Sequence, residues 1–226
     1  MIEKKWVVGE FQCNCRLLAC PITGHGVLVD PGAEGARLLK ELQGIQLPSG
    51  VPLKIQYLLH THGHLDHVGA AREVKEGLSS GRGESPQIVL HAADEPLYQA
   101  LQQQGALFGL NYLAPLPVDR YLNHEETLEI GEIKLSVIHT PGHSPGSVCL
   151  RVHEDSSRGV SETLLTGDTL FQGSVGRTDL WGANGDQMFK NIKERILTLD
   201  GDTRICPGHG PDSRIGVEKR ENPFLK

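Results

Sequence analysis

The sequence has 226 residues, of which 38% are hydrophobic, enough to bury the core of one large domain or two small ones. Its formal net charge of −6 provides no basic surface for a phosphate backbone, which excludes nucleic acid as the expected partner. The apolar runs are far shorter than the ~20 residues of a membrane-spanning helix, and residues 1–6 lead into no signal-peptide core. We therefore expect a cytoplasmic protein without membrane contact.

The first half of the chain alternates between the two periodicities of strand and helix. Short apolar runs bounded by turn residues predict strands, and leucines at helical spacing predict helices. Asp94 is expected to cap the last of these helices, and residues 79–85 form a Gly/Ser-rich connection. The predicted strands cover residues 6–18, 26–30, 55–59 and 88–90, and the predicted helices cover 34–43, 68–76 and 94–104.

The second half of the chain also mixes predicted strands and helices, with more strands than the first half. The clearest helix is expected over 186–199, and no linker separates two independently folded parts. Strands mixed with helices in both halves predict an α/β layered sandwich. We expect one domain over residues 1–226, with a helical or loop insertion at about 92–123 beside the active site. The remaining predicted strands cover residues 128–130, 133–138, 148–152, 163–165 and 204–206.

Four side chains that can bind metal fall within six residues, in the sequence T-H-G-H-L-D-H at 61–67. The motif lies on a strand-to-helix loop. His62 and His64 point to the same side of an extended segment, and the turn that follows can bring Asp66 and His67 to a neighbouring point. This spacing predicts a site that can serve two metal ions.

Three further candidates each follow a predicted strand and have glycine as a neighbour. These are His143, Asp168 and His209, and the glycines allow the backbone to approach a crowded site closely. The five cysteines are an odd number and thinly spread, which favours reduced thiols over a disulfide framework. Cys13 and Cys15 are interpreted as alternate residues on one face of a strand.

These residues resemble the metallo-β-lactamase superfamily, whose pattern runs T-H-x-H-x-D-H, then a lone His, a lone Asp and a final His. All seven positions are present in that order. The resemblance implies a four-layer αββα sandwich with the metals where the two sheets meet. It places His62, His64 and His143 on one metal ion, Asp66, His67 and His209 on the other, and Asp168 between them. Zinc suits this donor set best, and iron or manganese also fits it.

The motifs T-P-G-H-S-P-G-S at 140–147, G-R-T-D at 176–179 and P-G-H-G at 207–210 resemble the short bacterial glyoxalase II-like hydrolases. The resemblance implies that a metal-bridging hydroxide attacks a small hydroxyacyl thioester such as S-D-lactoylglutathione, with Asp66 as proton acceptor. A thiolate leaves readily, so such a site needs little general-acid help. The chain stops 17 residues after His209, where longer glyoxalase II enzymes carry a helical glutathione-binding domain, so glutathione recognition is left open.

Three alternatives remain. A persulfide dioxygenase resembles the chain in two motifs, and that resemblance implies a single iron on His62, His143 and Asp168; the P-G-H-G motif favours the hydrolase. A lactonase or lactamase shares the same donor set. A nuclease of the superfamily would need a positive surface and further domains, so the net charge of −6 speaks against it.

Residues that contact the substrate are predicted outside the metal ligands. The segment 96–121 is expected to fold over the cleft and select the acyl group, with Tyr112 and Phe108 on its wall. Arg177, Lys219 and Arg220 are candidates for a substrate carboxylate. Each of these cations has an ordinary alternative, a structural ion pair for Arg177 and a solvated charged tail for the other two.

Overall fold

A computed structural model describes residues 1–80, 85–155, 157 and 160–226 of the chain. Residues 81–84 of the predicted Gly/Ser-rich connection therefore lie outside the described residues. Within the described part, the strands form two six-stranded sheets and one short hairpin.

The first sheet contains strands β1 to β6 in their sequence order. Strands β1, β2 and β3 pair antiparallel, whereas β3 to β6 pair parallel. Strand β2 is buried along its whole length, as expected for a strand covered on both faces. The last strand comes from the end of the predicted insertion. The bounds are β1 (Ile2–Val8), β2 (Cys13–Ala19), β3 (His25–Val29), β4 (Lys54–Leu59), β5 (Gln87–His91) and β6 (Arg120–Leu122).

The second sheet is mostly antiparallel and comes from the second half of the chain. Its order is β14-β13-β10-β9-β8-β7, with one parallel pair between β10 and β13. The bounds are β7 (Thr127–Ile130), β8 (Ile133–His139), β9 (Val148–Val152), β10 (Thr163–Gly167), β13 (Arg204–Pro207) and β14 (Ser213–Arg214); the hairpin pairs β11 (Leu170–Phe171) with β12 (Ser174–Val175).

Two predicted helices are interrupted, and a third is shifted along the chain. The helix predicted over 68–76 is found at Ala71–Ser79, after a separate short helix at Leu65–Val68. The one predicted over 94–104 breaks at Ala100, whose φ of −82° and ψ of 13° leave the helical region. The helix over 186–199 changes to a π-helical turn, Ile192–Ile196. The bounds are α1 (Gly35–Gln43), α2 (Leu65–Val68), α3 (Ala71–Ser79), α4 (Glu95–Gln99), α5 (Leu101–Leu107), α6 (Gly185–Asn191) and α7 (Ile215–Glu221).

Three apolar clusters separate four layers. One packs the first sheet against helices α1, α3, α4 and α5, the second fills the space between the two sheets, and the third lies between the second sheet and the C-terminal helices. A sheet with helices on its outer face and a second sheet on its inner face buries both of its sides. The predicted αββα sandwich is confirmed.

The described residues include no helix with both the length and the apolar character that crossing a bilayer demands.

Candidate metal centre

The motif at 61–67 connects strand β4 to helix α2. His64 has extended backbone angles, φ −73° and ψ 149°, and the helix begins directly after it. The extended part therefore presents His62 and His64, while the first turn of the helix presents Asp66 and His67. All three of these imidazoles are buried.

The first group of donors consists of His62, His64 and His143. The Nε2 atom of His143 lies 3.2 Å from Nε2 of His62 and 2.9 Å from Nδ1 of His64. Zinc–nitrogen bonds of 2.0–2.1 Å place tetrahedral ligands about 3.3 Å apart. The three nitrogens thus have the separations expected of ligands to one metal ion.

The second group consists of Asp66, His67 and His209. Nε2 of His209 lies 3.1 Å from Asp66 Oδ2 and 3.3 Å from His67 Nε2, and His67 Nε2 lies 3.7 Å from the same carboxylate oxygen. The three donor atoms therefore converge as those of the first group do.

The carboxylate of Asp168 lies between the two groups. Its Oδ1 is 3.4 Å from Nε2 of His67, and its Oδ2 is 3.6 Å from Nε2 of both His143 and His209. Oδ1 is buried and has no hydrogen-bond partner among the described residues, which is costly unless a cation compensates it. The donor set and this orphaned oxygen fit two divalent metal ions, which the two donor groups and Asp168 would hold.

The protonation states of two histidines in the first donor group suit metal binding. Burial, reinforced by the neighbouring imidazoles, lowers the pKa of His62 well below its ordinary value, and burial first and His143 second lower that of His64 to about 4. Both rings are neutral at pH 7 and offer a lone pair. Burial opposes the charge of Asp168, but His67 and the other imidazoles hold its pKa far below the ordinary value.

Two histidines are oriented by hydrogen bonds at their second nitrogen. Nδ1 of His143 lies 2.8 Å from the Arg177 carbonyl oxygen, and Nδ1 of His67 lies 3.0 Å from Asp30 Oδ2. The Asp30 carboxylate also accepts hydrogen bonds from the amide and hydroxyl of Thr61, at 2.8 and 2.7 Å. Such partners fix the ring so that Nε2 faces the metal position.

Asp94 occupies the N-cap position of helix α4 as predicted, but its side chain does not cap the helix. Its carboxylate makes no hydrogen bond to helix α4, because it accepts three hydrogen bonds from the two loops of the first donor group. The donors are the Gly63 amide at 2.8 Å, the Ser144 hydroxyl at 2.6 Å and the Gly146 amide at 2.5 Å.

Strand β2 supports the second donor group. Asn14 donates from its side chain to the carbonyls of Pro207 and Gly210, at 3.0 and 2.9 Å, and so holds the turn that carries His209. Cys13 and Cys15 are both buried, which confirms their interpretation as strand core residues. The Cys13 Sγ lies 3.6 Å from Nδ1 of His67, and burial raises the pKa of this thiol to about 12.

The predicted substrate-binding residues are placed differently from one another. The Tyr112 ring packs against Gly69, two residues after His67, and against Gly105, and burial, followed by the charge of Asp66, raises the pKa of its hydroxyl. Arg177 is exposed and forms an ion pair with Asp179 at 2.7 Å, which is its ordinary alternative. Lys219 and Arg220 are exposed on helix α7, and their contact with a substrate stays a prediction.

An aromatic pair connects the predicted insertion to the β1–β2 turn. Phe108 at the end of α5 packs edge-on against Phe11 of the β1–β2 turn, with 5.1 Å between ring centroids. Phe11 is two residues from Cys13, which forms an isolated antiparallel bridge with His209. Both rings remain partly exposed.

The sequence motifs predict these seven side chains but not the residues that orient them. From the sequence, Asp30 is expected only to end a strand, Asp94 to cap a helix, and Asn14 to lie within the strand predicted over 6–18. In the sequence, a polar residue such as Asn14 within an otherwise apolar strand indicates a specific hydrogen-bonding role. In the structure, Asn14 is buried, at 4% exposure.

Comparison with known proteins shows the same family over most of the chain. The family model described as the metallo-beta-lactamase superfamily matches residues 8–209. The hydroxyacylglutathione hydrolase GloC of Haemophilus influenzae is 35% identical over 219 residues, covering 96% of this chain and 95% of that protein.

Two solved structures resemble the chain over nearly their whole length. The BLEG-1 B3 metallo-beta-lactamase has a TM-score of 0.82 at 33% identity, covering 100% of both chains. The protein TTHA1623, solved in a di-iron-bound form, has a TM-score of 0.79 at 38% identity, covering 98% of this chain and 100% of that one.

Proposed function

The chain belongs to the metallo-β-lactamase superfamily, and we propose that it hydrolyses a small hydroxyacyl thioester, with S-D-lactoylglutathione as the reference substrate and two divalent metal ions as cofactors. The observation that carries the proposal is the placement of Asp168 between two complete donor groups, within 3.4–3.6 Å of His67, His143 and His209. A single-metal site would leave the Asp66, His67 and His209 group without a purpose, which favours the hydrolase over the mononuclear iron dioxygenase.

The identity of the metal ions belongs to the proposal. Imidazole and carboxylate donors without a thiolate suit zinc, iron or manganese. We propose zinc, and the similarity to a protein that binds two irons keeps iron as the second choice. When bound, two such ions supply Lewis acidity and a water of lowered pKa.

The side chains around the ions supply the remaining chemistry. Asp66 directs Oδ2 towards His209, which leaves Oδ1 to accept a proton from the attacking water. The five cysteines are all buried and offer no accessible nucleophile for a covalent route. A site of this kind needs a substrate with a good leaving group, and a thiolate meets that requirement.

The choice of a thioester rests on the motifs and on the relative named as a hydroxyacylglutathione hydrolase. The similarity to a B3 metallo-beta-lactamase supports a β-lactam as the competing substrate, because the two reactions share a donor set. Tyr112, Phe108 and Phe11 are proposed to contact the acyl group. Tyr112 packs against Gly69, two residues after His67, and Phe108 packs against Phe11, two residues from the Cys13–His209 bridge.

A substrate panel tests the proposal. S-D-lactoylglutathione, an acyl thioester of a thiol other than glutathione, a lactone and a β-lactam are compared by kcat/KM, and oxygen uptake is measured with a glutathione persulfide. We expect a thioester to be hydrolysed fastest and the activity to be lost on prolonged chelation. A β-lactam or lactone that is hydrolysed faster than every thioester, or oxygen uptake with the persulfide, would overturn the proposed substrate class.

A further inference from the structure

We propose that Asp94 is a positioning residue that sets the separation of the two loops of the first donor group, and so controls metal affinity at His62, His64 and His143. The inference rests on the proposed function only in requiring that this group binds a metal ion. It gives the segment at about 92–123 a role as a support for the metal centre, besides its expected role as a substrate wall.

The Asp94 carboxylate joins two loops that are distant in sequence. Its Oδ2 accepts hydrogen bonds from the Gly63 amide at 2.8 Å and from the Ser144 hydroxyl at 2.6 Å. Its Oδ1 accepts one from the Gly146 amide at 2.5 Å. Gly63 lies between His62 and His64, and Ser144 directly follows His143. One side chain thus holds the backbone on both sides of the group.

The close fit leaves no room for adjustment. Asp94 is completely buried. A side-chain carbon on Gly63 would lie 2.9 Å from the Asp94 carbonyl oxygen, and one on Gly146 would lie 2.7 Å from the Asp94 side chain. The glycines therefore permit a contact that any larger residue would prevent. Small changes in Asp94 must move the loops rather than be absorbed locally.

A second side chain from the same segment holds the same loop. Gln104 in α5 accepts a hydrogen bond from the Leu65 amide at 3.0 Å and donates to the Gly63 carbonyl at 3.1 Å. The backbone of residues 63–65 is therefore fixed from α5 and from the turn before α4. Asp94 differs from Gln104 in that it also reaches the His143 loop.

The chemistry of the contacts requires a carboxylate. Asp94 faces two amide donors and one hydroxyl donor, and a charged acceptor makes stronger hydrogen bonds to such groups than a neutral one. An amide in its place would turn an N–H towards one of the backbone donors. The shape would be kept while one bond between the loops becomes repulsive.

The test compares Asp94→Asn with Asp119→Asn. Asp119 lies in the same segment and its carboxylate also accepts a hydrogen bond from a backbone amide, that of Ile88 at 2.7 Å, but its partner strand is β5 rather than a metal loop. Zinc affinity is measured by competition with a chromophoric chelator, and the absorption spectrum of the cobalt-substituted protein reports the coordination geometry.

For Asp94→Asn we expect one of the two metal ions to bind about 10- to 100-fold more weakly, with an altered cobalt spectrum. Asp119→Asn should keep the metal affinity and the cobalt spectrum of the wild-type protein, even if its thermal stability falls as much as that of Asp94→Asn. If Asp94→Asn does not fold, Ser144→Ala provides the test, because it removes only one of the three hydrogen-bond donors to Asp94. We expect this variant to lose metal affinity a few-fold.

Wild-type affinity and an unchanged cobalt spectrum in Asp94→Asn, or in Ser144→Ala where the first variant does not fold, would overturn the inference. Its failure is distinguishable from failure of the proposed function. If the wild-type protein binds two metal ions and hydrolyses thioesters while the variants bind both equally well, only the role of Asp94 is wrong. If the wild-type protein binds no metal ion, the proposed function is wrong as well.

Discussion

Single side chains in this site are fixed before any ligand binds. His143 and His67 each use Nδ1 for a protein contact, to the Arg177 carbonyl and to Asp30, which leaves Nε2 for the centre of the cluster. The orientation of each ring is thereby set by residues that lie far away in sequence. A binding site prepared in this way loses little entropy when the metal enters.

Replacing His64 by alanine tests the first donor group. We expect the metal content to fall by one ion per chain and kcat/KM for a thioester to fall by more than about 100-fold, because even residues that only support a ligand contribute 10- to 100-fold. Mass spectrometry of metal content and a thioester assay check both. His25→Ala, at the start of β3, is the matched control and should still bind two metal ions. Undiminished hydrolysis by the His64→Ala variant would contradict the assignment of His64 as a ligand.

His60 predicts a pH dependence of stability in the metal-free protein. Burial lowers the pKa of this residue from its ordinary value of 6.5 to about 4. Between these values the unfolded chain binds a proton that the folded chain excludes. The free energy of unfolding therefore falls as the pH drops through this range, by roughly 2–3 kcal/mol at pH 4.5.

His60→Asn removes this contribution while its amide can still donate to the His67 carbonyl, which His60 Nδ1 contacts at 3.0 Å. Urea unfolding of the chelated proteins at pH 8 and pH 4.5 measures the difference. The variant should lose less stability on acidification than the wild-type protein. Equal losses in the two proteins would show that His60 is not buried in its neutral form.

At the scale of elements, each donor group has its own support. The first is held from the segment before α4 and from α5, and the second is held by strand β2 through the Asn14 side chain and through the hydrogen bond from its amide to the Gly208 carbonyl at 2.7 Å. The two supports come from separate parts of the chain, strand β2 and the segment that follows strand β5. The groups can therefore be weakened separately.

Asn14→Ala should weaken the second group and leave the first intact. Loss of two side-chain hydrogen bonds frees the turn that carries His209, so we expect one metal ion to bind about 10-fold or more weakly. Asn111→Ala, an exposed asparagine, is the control and should bind both ions as the wild-type protein does. Chelator competition distinguishes the two variants, and equal affinities would show that Asn14 has no such role.

The aromatic pair predicts substrate preference. Phe108→Ala removes the contact with Phe11, so kcat/KM for a bulky apolar acyl thioester should fall about 3- to 10-fold relative to a small one. Leu107→Ala alters the neighbouring residue, which is 83% exposed, and should leave the ratio unchanged. If the ratio of the two kcat/KM values is unaltered in Phe108→Ala, the aromatic pair does not determine which acyl group is preferred.

The donors could be predicted from sequence because they lie in short motifs that end strands, where glycine and turn residues mark the position. Their supports could not, since Asp30, Asp94 and Gln104 act on residues 31 to 52 positions away. Asp94 stands where a helix cap is expected, and only the folded chain brings it to Gly146. The predicted helix bounds are wrong for the same reason, because packing against other elements decides where a helix begins and breaks.

For the whole molecule, the metal centre joins the two sheets. The motif at 61–67 follows a strand of the first sheet, while His143, Asp168 and His209 follow strands of the second. The hydrogen bond from the Val148 amide to the Thr61 carbonyl, 2.8 Å long, crosses the same junction. Metal ions bound to both sheets should therefore stabilise the fold as well as the reaction centre.

The number of metal ions per chain, determined by mass spectrometry on protein purified without added metal or chelator, shows whether the centre is binuclear. Two complete donor groups bridged by Asp168 predict close to two ions of zinc, iron or manganese. A value close to one iron, with no second ion taken up on titration, would contradict the binuclear hydrolase and favour the mononuclear dioxygenase.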